Sequence, residues 1–301
     1  MRRATRLLLA FLLATGSVTV HPASRLMASS EAAAPPQKAT LKPVSATAAP
    51  EPDIPFDDSE LQSEQILLQL ANQSRQRVGA PALKLDAGLS RAARIHAQAM
   101  LDANQLSHQF PGESALAQRL AVMTKLQLDQ EGENVALDYT PQAGHEHLML
   151  SPPHRANLLN PAYNVIGLAV LRSGSRLFIV QDFGHALPTY SAGDWKDRVA
   201  AAVNQLRRQQ HQRDLPRRDL AIADEAACSM AEADKLGTSP VRKLAERYTV
   251  LTYTSLHPES LPAEASHPID SRNLRSFSVG ACYARTETYP TGVYWVVLTL
   301  D

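Results

Sequence analysis

The sequence predicts an α+β protein, and three observations carry that expectation. Two early stretches have apolar residues at helical spacing, a later stretch alternates as a β-hairpin, and the same order recurs in the second half of the chain. With 301 residues, 44% of them apolar, the chain can bury one large core or two modest ones.

The first helix is read from SELQSEQILLQLANQSRQRVGAPALKL, where Leu67, Leu70, Ala71 and Val78 share a face and Gly79 ends the run. After Asp86, the residues Leu89, Ala92, Ala93, His96, Ala97, Met100 and Leu101 recur at intervals of three and four, giving a second helix. His96 falls inside that apolar stripe and reads as a packed core histidine rather than a ligand. VIGLAVLRSGSRLFIVQDFG reads as two strands, Val165 to Leu171 and Arg176 to Phe183, joined by a Ser-Gly-Ser turn.

From Asp194 the pattern restarts. VAAAVNQLRRQQ echoes ILLQLANQSRQR, with Asn204 and Arg207 spaced as Asn72 and Arg75 are. LAIADEAACSMAEADKL echoes the second helix, setting Ala223, Ala227 and Met230 against Ala93, Ala97 and Met100. SVGACYARTETYPTGVYWVVLTL echoes the hairpin, with Gly280 at the place of Gly167. Duplication of one supersecondary unit explains this internal repeat. The second copy is shorter between its second helix and its hairpin and holds no counterpart of GEN or PHRANLL.

Residues 1–28 read as a secretory signal peptide. Arg2, Arg3 and Arg6 precede an apolar run from Leu7 to Val20, and small residues follow. That run is shorter than the roughly 20 residues a spanning helix needs. An uncleaved anchor is the alternative, and it also places the remainder outside the cytoplasm; no cysteine follows for a lipid anchor. Residues 29–56, rich in Ala and Pro, read as a disordered tether. Folding is expected from residue 57, in two parts, 57–188 and 189–301.

Thirty basic and thirty acidic residues give a formal charge of zero, and the basic ones do not cluster beyond the N-terminus. Nucleic-acid binding is thereby excluded as an expectation. The two cysteines, Cys228 and Cys282, form either one disulfide, as an oxidising compartment favours, or two separate buried thiols.

Three polar residues of the first copy are the candidate catalytic or metal-binding group: His108 in QLSHQF, Glu133 in GEN and His154 in SPPHRAN. All three fall at element ends or in loops, where side chains can converge. Two imidazoles and a carboxylate within about 3 to 7 Å of one another can hold a divalent metal such as zinc, or act as an acid/base cluster without one. His145 and His147 of the conspicuous His-Glu-His run are two apart, point to different faces of a helix, and read as an exposed face. Arg155 and Asn157 read as ties between loop and neighbours, Asn72 and Arg75 as donors to loop carbonyls, and His257 and His267 as solvated. No G-x-S-x-G, Walker loop or GxGxxG occurs.

Taken in order, NQSR, LSH, GENVA, SPPHRANLLNP followed by VIGLAV, and IVQDFG resemble the CAP superfamily (cysteine-rich secretory proteins, antigen 5 and pathogenesis-related 1), or SCP domain, in its short bacterial form. The resemblance runs from about Glu60 to His185. It implies a three-layer α-β-α sandwich with a large cleft, lined by two histidines and two glutamates able to bind zinc or another divalent ion. His108 matches the first histidine, Glu133 the first glutamate and His154 the second histidine. The fourth position departs from the family. Its preceding Trp is here Leu148 and the ligand itself is Ser151, with Glu146 one turn earlier as the candidate substitute. The loss of an anionic ligand puts obligate metal chemistry in doubt. By the same resemblance, 57–188 is a CAP/SCP domain and 189–301 a degenerate CAP-like repeat with Leu256 to Pro268 as its replacement loop.

Three functions are then open. The first is a secreted module, periplasmic or extracellular, whose cleft binds a small or polymeric envelope ligand, whether lipid, glycan or protein. The second is a hydrolase of peptide or peptidoglycan bonds, with His108, Glu133 and His154 activating water directly or through a metal. The third is a structural or interaction protein with a vestigial cleft. No nucleophile with an orienting base is visible, so enzymatic activity stays undecided. The membrane enters only through an uncleaved signal.

Overall fold

The computed structural model describes residues 57–301; the expected signal peptide and tether lie outside them. Asp57 caps helix α1 (Asp58–Arg77) by accepting from the Ser59 N–H at 2.7 Å, and Asp86 caps α2 (Ala87–Ala103) through the Leu89 N–H at 2.8 Å. Between them lies the short strand β1 (Lys84–Leu85). After α2 come α3 (Leu116–Met123), β2 (Leu128–Asp138), α4 (Pro141–Leu150), α5 (Pro152–Leu159) and the hairpin β3 (Val165–Ser173) and β4 (Arg176–Ala186).

These strands form a sheet in the order β1-β3-β4-β2, in which β1 is parallel to β3 and the other pairs are antiparallel. Because strand side chains alternate, β3 and β4 feed two cores. Ile166, Leu168, Val170 and Ile179 pack against Leu67 and Ala71 of α1, Leu148 of α4 and Leu158 of α5. Ala169, Leu171, Phe178 and Val180 pack against Ala93, Ala97 and Met100 of α2. Helices thus cover both faces, as the expected sandwich requires.

The second half also sets helices on both faces of a sheet. It comprises α6 (Ala192–Gln209), α7 (Ala221–Glu232), α8 (Ser239–Ala245), β5 (Thr249–Ser255), α9 (Ser266–Ile269), β6 (Phe277–Ala284) and β7 (Val293–Leu300). The antiparallel sheet has the order β5-β7-β6. Val199 and Val203 of α6 pack with Val296 and Leu298 on one face, and Ala227 and Met230 of α7 with Trp295 and Val297 on the other. A disulfide joins Cys228 of α7 to Cys282 of β6 across a Cα–Cα distance of 4.9 Å, so the bonded alternative holds. Among the described residues no helix is long and apolar enough to cross a membrane.

An Asn/Arg pair ties each half in a similar way. Asn72 exchanges hydrogen bonds with the backbone of Leu83 (3.1 and 2.7 Å), and Asn204 does so with Leu215 (3.1 and 2.9 Å). Arg75 donates to the carbonyls of Pro81, Leu158, Asn160 and Tyr163, and Arg207 to those of Arg213, Ile269 and Ser271.

The helix alignment differs from the expected one at its first half. The Cβ of an alanine at Gly167 would overlap the Leu89 carbonyl carbon, and at Gly280 the Ala223 carbonyl carbon, so Leu89 rather than Ala93 corresponds to Ala223. At the other end Gln105 N–H bonds to Met100 O and Lys235 N–H to Met230 O, so the methionines do correspond. Met100 follows Leu89 by eleven positions and Met230 follows Ala223 by seven, so α7 is about one helical turn shorter than α2 between these contacts.

Candidate functional site

The site is built around β2. GEN lies in the middle of this strand, with Glu133 opposite Asp182 of β4, and not in a loop or at an element end as its polar composition suggested. His154 also lies within an element, α5, whereas His108 is in the α2–α3 loop. Gly132 is required by close packing: a Cβ there would stand 2.5 Å from the Tyr163 hydroxyl, which donates to the Glu131 carbonyl at 3.0 Å.

The asparagines of the two motifs lock α5 onto β2. Asn157 Nδ2 donates to the Glu133 carbonyl (3.1 Å) and to Asn134 Oδ1 (3.0 Å), while Asn134 Nδ2 donates to the His154 carbonyl (3.1 Å). This lattice fixes His154 relative to Glu133. Asn157 therefore has the expected structural role, while Arg155 is exposed and the tie rests on Asn157.

Two of the three candidates are in direct contact. His108 Nδ1 donates to Glu133 Oε1 at 2.9 Å, because a carboxylate can only accept. The rings of His108 and His154 lie 6.3 Å apart at their centroids, tilted by 42°. Glu133 is 8% exposed, whereas the His108 side chain is 58% exposed, so the carboxylate forms the floor and the imidazole the rim. Burial, followed by the neighbouring His108, pulls the His154 pKa below its ordinary value and favours a neutral ring there.

Residues outside the expected trio complete the floor. Buried Arg119 of α3 donates through Nη2 to Glu133 Oε2 and through Nη1 to the His108 carbonyl at 3.1 Å. Its Nη1 also lies 3.3 Å from Glu113 Oε1. His96 is fully buried, as expected of a core histidine, yet it is polar in function: its ring nitrogens meet Glu113 Oε1 (2.7 Å) and the Ser107 carbonyl (2.8 Å), and Nε2 stands 3.8 Å from Glu133 Oε2. Asp182 has no solvent exposure, and burial and then the Glu133 charge push its carboxyl well above the ordinary carboxylate range. The one sequence signal for these groups was a charge inside an apolar pattern, such as Arg119 in LAQRLAVM and Asp182 in FIVQDFG.

The donor set does not suit a metal ion. Both Glu133 oxygens are already engaged, one by Arg119 and one by His108, and an entering cation must displace a guanidinium. Ser151, at the fourth family position, is the junction residue between α4 and α5. Among the described residues no group of three or more His, Cys, Asp or Glu is placed to hold an ion.

The His-Glu-His run divides between its two faces. His147 is exposed and its Nδ1 meets Asp138 Oδ2 at 2.5 Å, as an exposed face predicts. His145 is instead buried, with Nε2 2.9 Å from Ser74 Oγ, because the same i, i+2 geometry turns it toward α1. Glu146 is exposed on α4. In the second half, His267 is exposed, and half-exposed His257 reaches to 3.6 Å from Asp129.

Comparison with known proteins finds likenesses within the first half of the described chain. Residues 68–183 match the cysteine-rich secretory protein family, CAP. YkwD of Bacillus subtilis (strain 168) is 34% identical over 113 residues, which cover 37% of this chain and 44% of that protein. An extracellular protein containing an SCP domain from Bacillus anthracis str. Ames is 28% identical over 44% of each chain, with a TM-score of 0.39. An outer surface protein of Borrelia burgdorferi is 20% identical over 44% of this chain and 97% of its own, with a TM-score of 0.40. The chain thus spans less than half the length of YkwD and of the B. anthracis protein.

Proposed function

Because residues 68–183 form a CAP domain of bacterial type, we propose that the chain is a secreted binding protein whose His108–His154 face holds a small or polymeric ligand at the cell envelope. Its export is read from the basic-then-apolar N-terminus. The observation that carries the binding reading is the state of Glu133. A carboxylate paired with a buried guanidinium and a histidine is neutralised and fixed, and so serves better as an anchor for His108 than as a free base or metal ligand. With Nδ1 committed to Glu133, His108 turns Nε2 toward incoming groups, and neutral His154 adds a second ring that can donate or accept. The ligand is therefore held by imidazole hydrogen bonds, without an ion. By the same reading, residues 189–301 are a degenerate CAP-like unit that kept the scaffold and lost the polar face.

One observation favours hydrolysis as a second reading. An exposed imidazole oriented through Nδ1 by a buried carboxylate is the arrangement general bases use. Retention of the mature protein on isolated envelope material, measured beside release of soluble fragments, separates the two. Binding that falls about tenfold or more in His108→Ala, without fragment release by the parent, is the expected result. Fragment release that is abolished in Glu133→Gln establishes the hydrolase reading instead.

A further inference from the structure

A cavity lies away from the His108–His154 face, where the two halves of the described chain meet. It is an open pocket of about 450 Å³, lined by Lys125 and Gln127 from the segment before β2 and by side chains of α6, α7, β6 and β7. That volume falls within the range of small-molecule and saccharide sites.

One wall is aromatic. Trp195 and Tyr294 stand 6.1 Å apart by ring centroids, and Tyr283 lies 5.2 Å from Tyr294 at 57°. Trp195 and Tyr294 are buried beneath, while Tyr283 is 41% exposed. The Tyr283 hydroxyl donates to the Thr291 carbonyl at 3.0 Å, and its ring occupies the space a Cβ on Gly292 would need, so the platform is fixed before any ligand arrives. Aromatic faces carry negative quadrupoles and attract the polarised C–H faces of a pyranose ring.

The other wall is polar and carries excess positive charge. Lys196 Nζ donates to Asp224 Oδ2 at 2.7 Å, and Asp224 Oδ1 accepts from the Ala281 N–H at 3.2 Å, so this pair is neutral and held. Lys125 is exposed and forms no ion pair with the described residues. Gln127 is 9% exposed, and its Nε2 has no hydrogen-bond partner among the described residues.

We infer that this cavity binds a sugar unit bearing a carboxylate, within an acidic glycan, with the ring on Tyr283 and the acidic oxygens toward Lys125. The two halves of the chain then act together as one receptor. A neutral sugar would use the platform and leave the ammonium idle, while an acidic peptide would offer no flat C–H face to the rings.

The test is tryptophan fluorescence of the full chain, since Trp195 lines the cavity and Trp295 is buried elsewhere. The probes are N-acetylglucosamine–N-acetylmuramic acid oligomers and chitin oligomers of equal length, which lack the carboxylate. The acidic oligomer should bind at least about tenfold more tightly, with an advantage that shrinks as salt is raised. Lys125→Glu and Tyr283→Ala, both at exposed side chains, should each cost about tenfold while the unfolding midpoint is kept. Equal affinity for the two oligomers, undiminished binding in Lys125→Glu, or no fluorescence response to either probe overturns the proposal. If Tyr283→Ala loses the fold, Lys125→Glu still decides.

Discussion

At the scale of single residues, the site rests on two buried carboxyl groups facing each other on adjacent strands, Glu133 and Asp182. Two like charges so close in a dry interior cannot both persist, and Arg119 settles the matter by pairing with Glu133 and leaving Asp182 neutral. Asp182 holds its proton more tightly folded than unfolded, so its contribution to stability is complete at acid pH and is lost as pH rises toward its raised pKa. Asp182→Asn keeps the shape and removes the titration. The variant should match the parent near pH 4 and exceed it progressively toward pH 8, where each tenfold difference in proton affinity is worth about 1.4 kcal/mol. Thermal unfolding across that range is the measurement, and a pH-independent difference would refute the neutral-acid assignment. Arg119 gives a second prediction. In Arg119→Met, Glu133 loses its guanidinium, stability falls by about 3 kcal/mol, and zinc should now raise the unfolding midpoint where it does not for the parent. If zinc stabilises parent and variant alike, Arg119 is not what excludes the ion.

At the scale of elements, the long periodic segments were legible because burial and period coincide. The 3.6-residue stripes of α1 and α2, the hairpin of β3 and β4, and the Asn/Arg pairs that recur 132 positions later all follow from the order of residues. Strand β2 was not legible, because LDQEGEN puts acidic and amide groups where a strand ordinarily alternates, and tertiary partners such as Arg119 and Asn157 are what make those groups tolerable. The trio was legible as motif residues, but its supporting charges were not, since nothing local marks Arg119 as the partner of a residue 14 positions away. The helix–strand contacts at Gly167 and Gly280 carry the element-scale prediction. Each glycine allows a helix backbone to approach within a distance that no Cβ survives. Gly167→Ala and Gly280→Ala should therefore cost similar amounts, about 1–3 kcal/mol each in denaturant unfolding. A cost confined to one of them would show that the two contacts are not equivalent.

At the scale of the whole chain, the apolar cores do not mix. The clusters around β3 and β4 draw on residues from Leu67 to Ala186, and those around β7 on residues from Tyr190 to Leu300. What crosses between them includes polar contacts, such as Arg285 Nη2 donating to the Leu126 carbonyl at 3.1 Å and His257 approaching Asp129. Separate cores joined by polar contacts unfold separately when the contacts are worth less than the difference in core stability. The Cys228–Cys282 link closes its loop wholly inside the second half. A disulfide of this span stabilises by roughly 2–4 kcal/mol, chiefly by restricting the unfolded chain, so its loss should lower the midpoint of a domain of about 100 residues by about 10 °C or more. Calorimetry of the chain should accordingly show two transitions, of which reductant moves only one. Cys228→Ala/Cys282→Ala should reproduce that shift without reductant. A single transition that reduction displaces as a whole would mean that the polar seam couples the halves more strongly than their separate cores divide them, and the two halves would then be one folding unit.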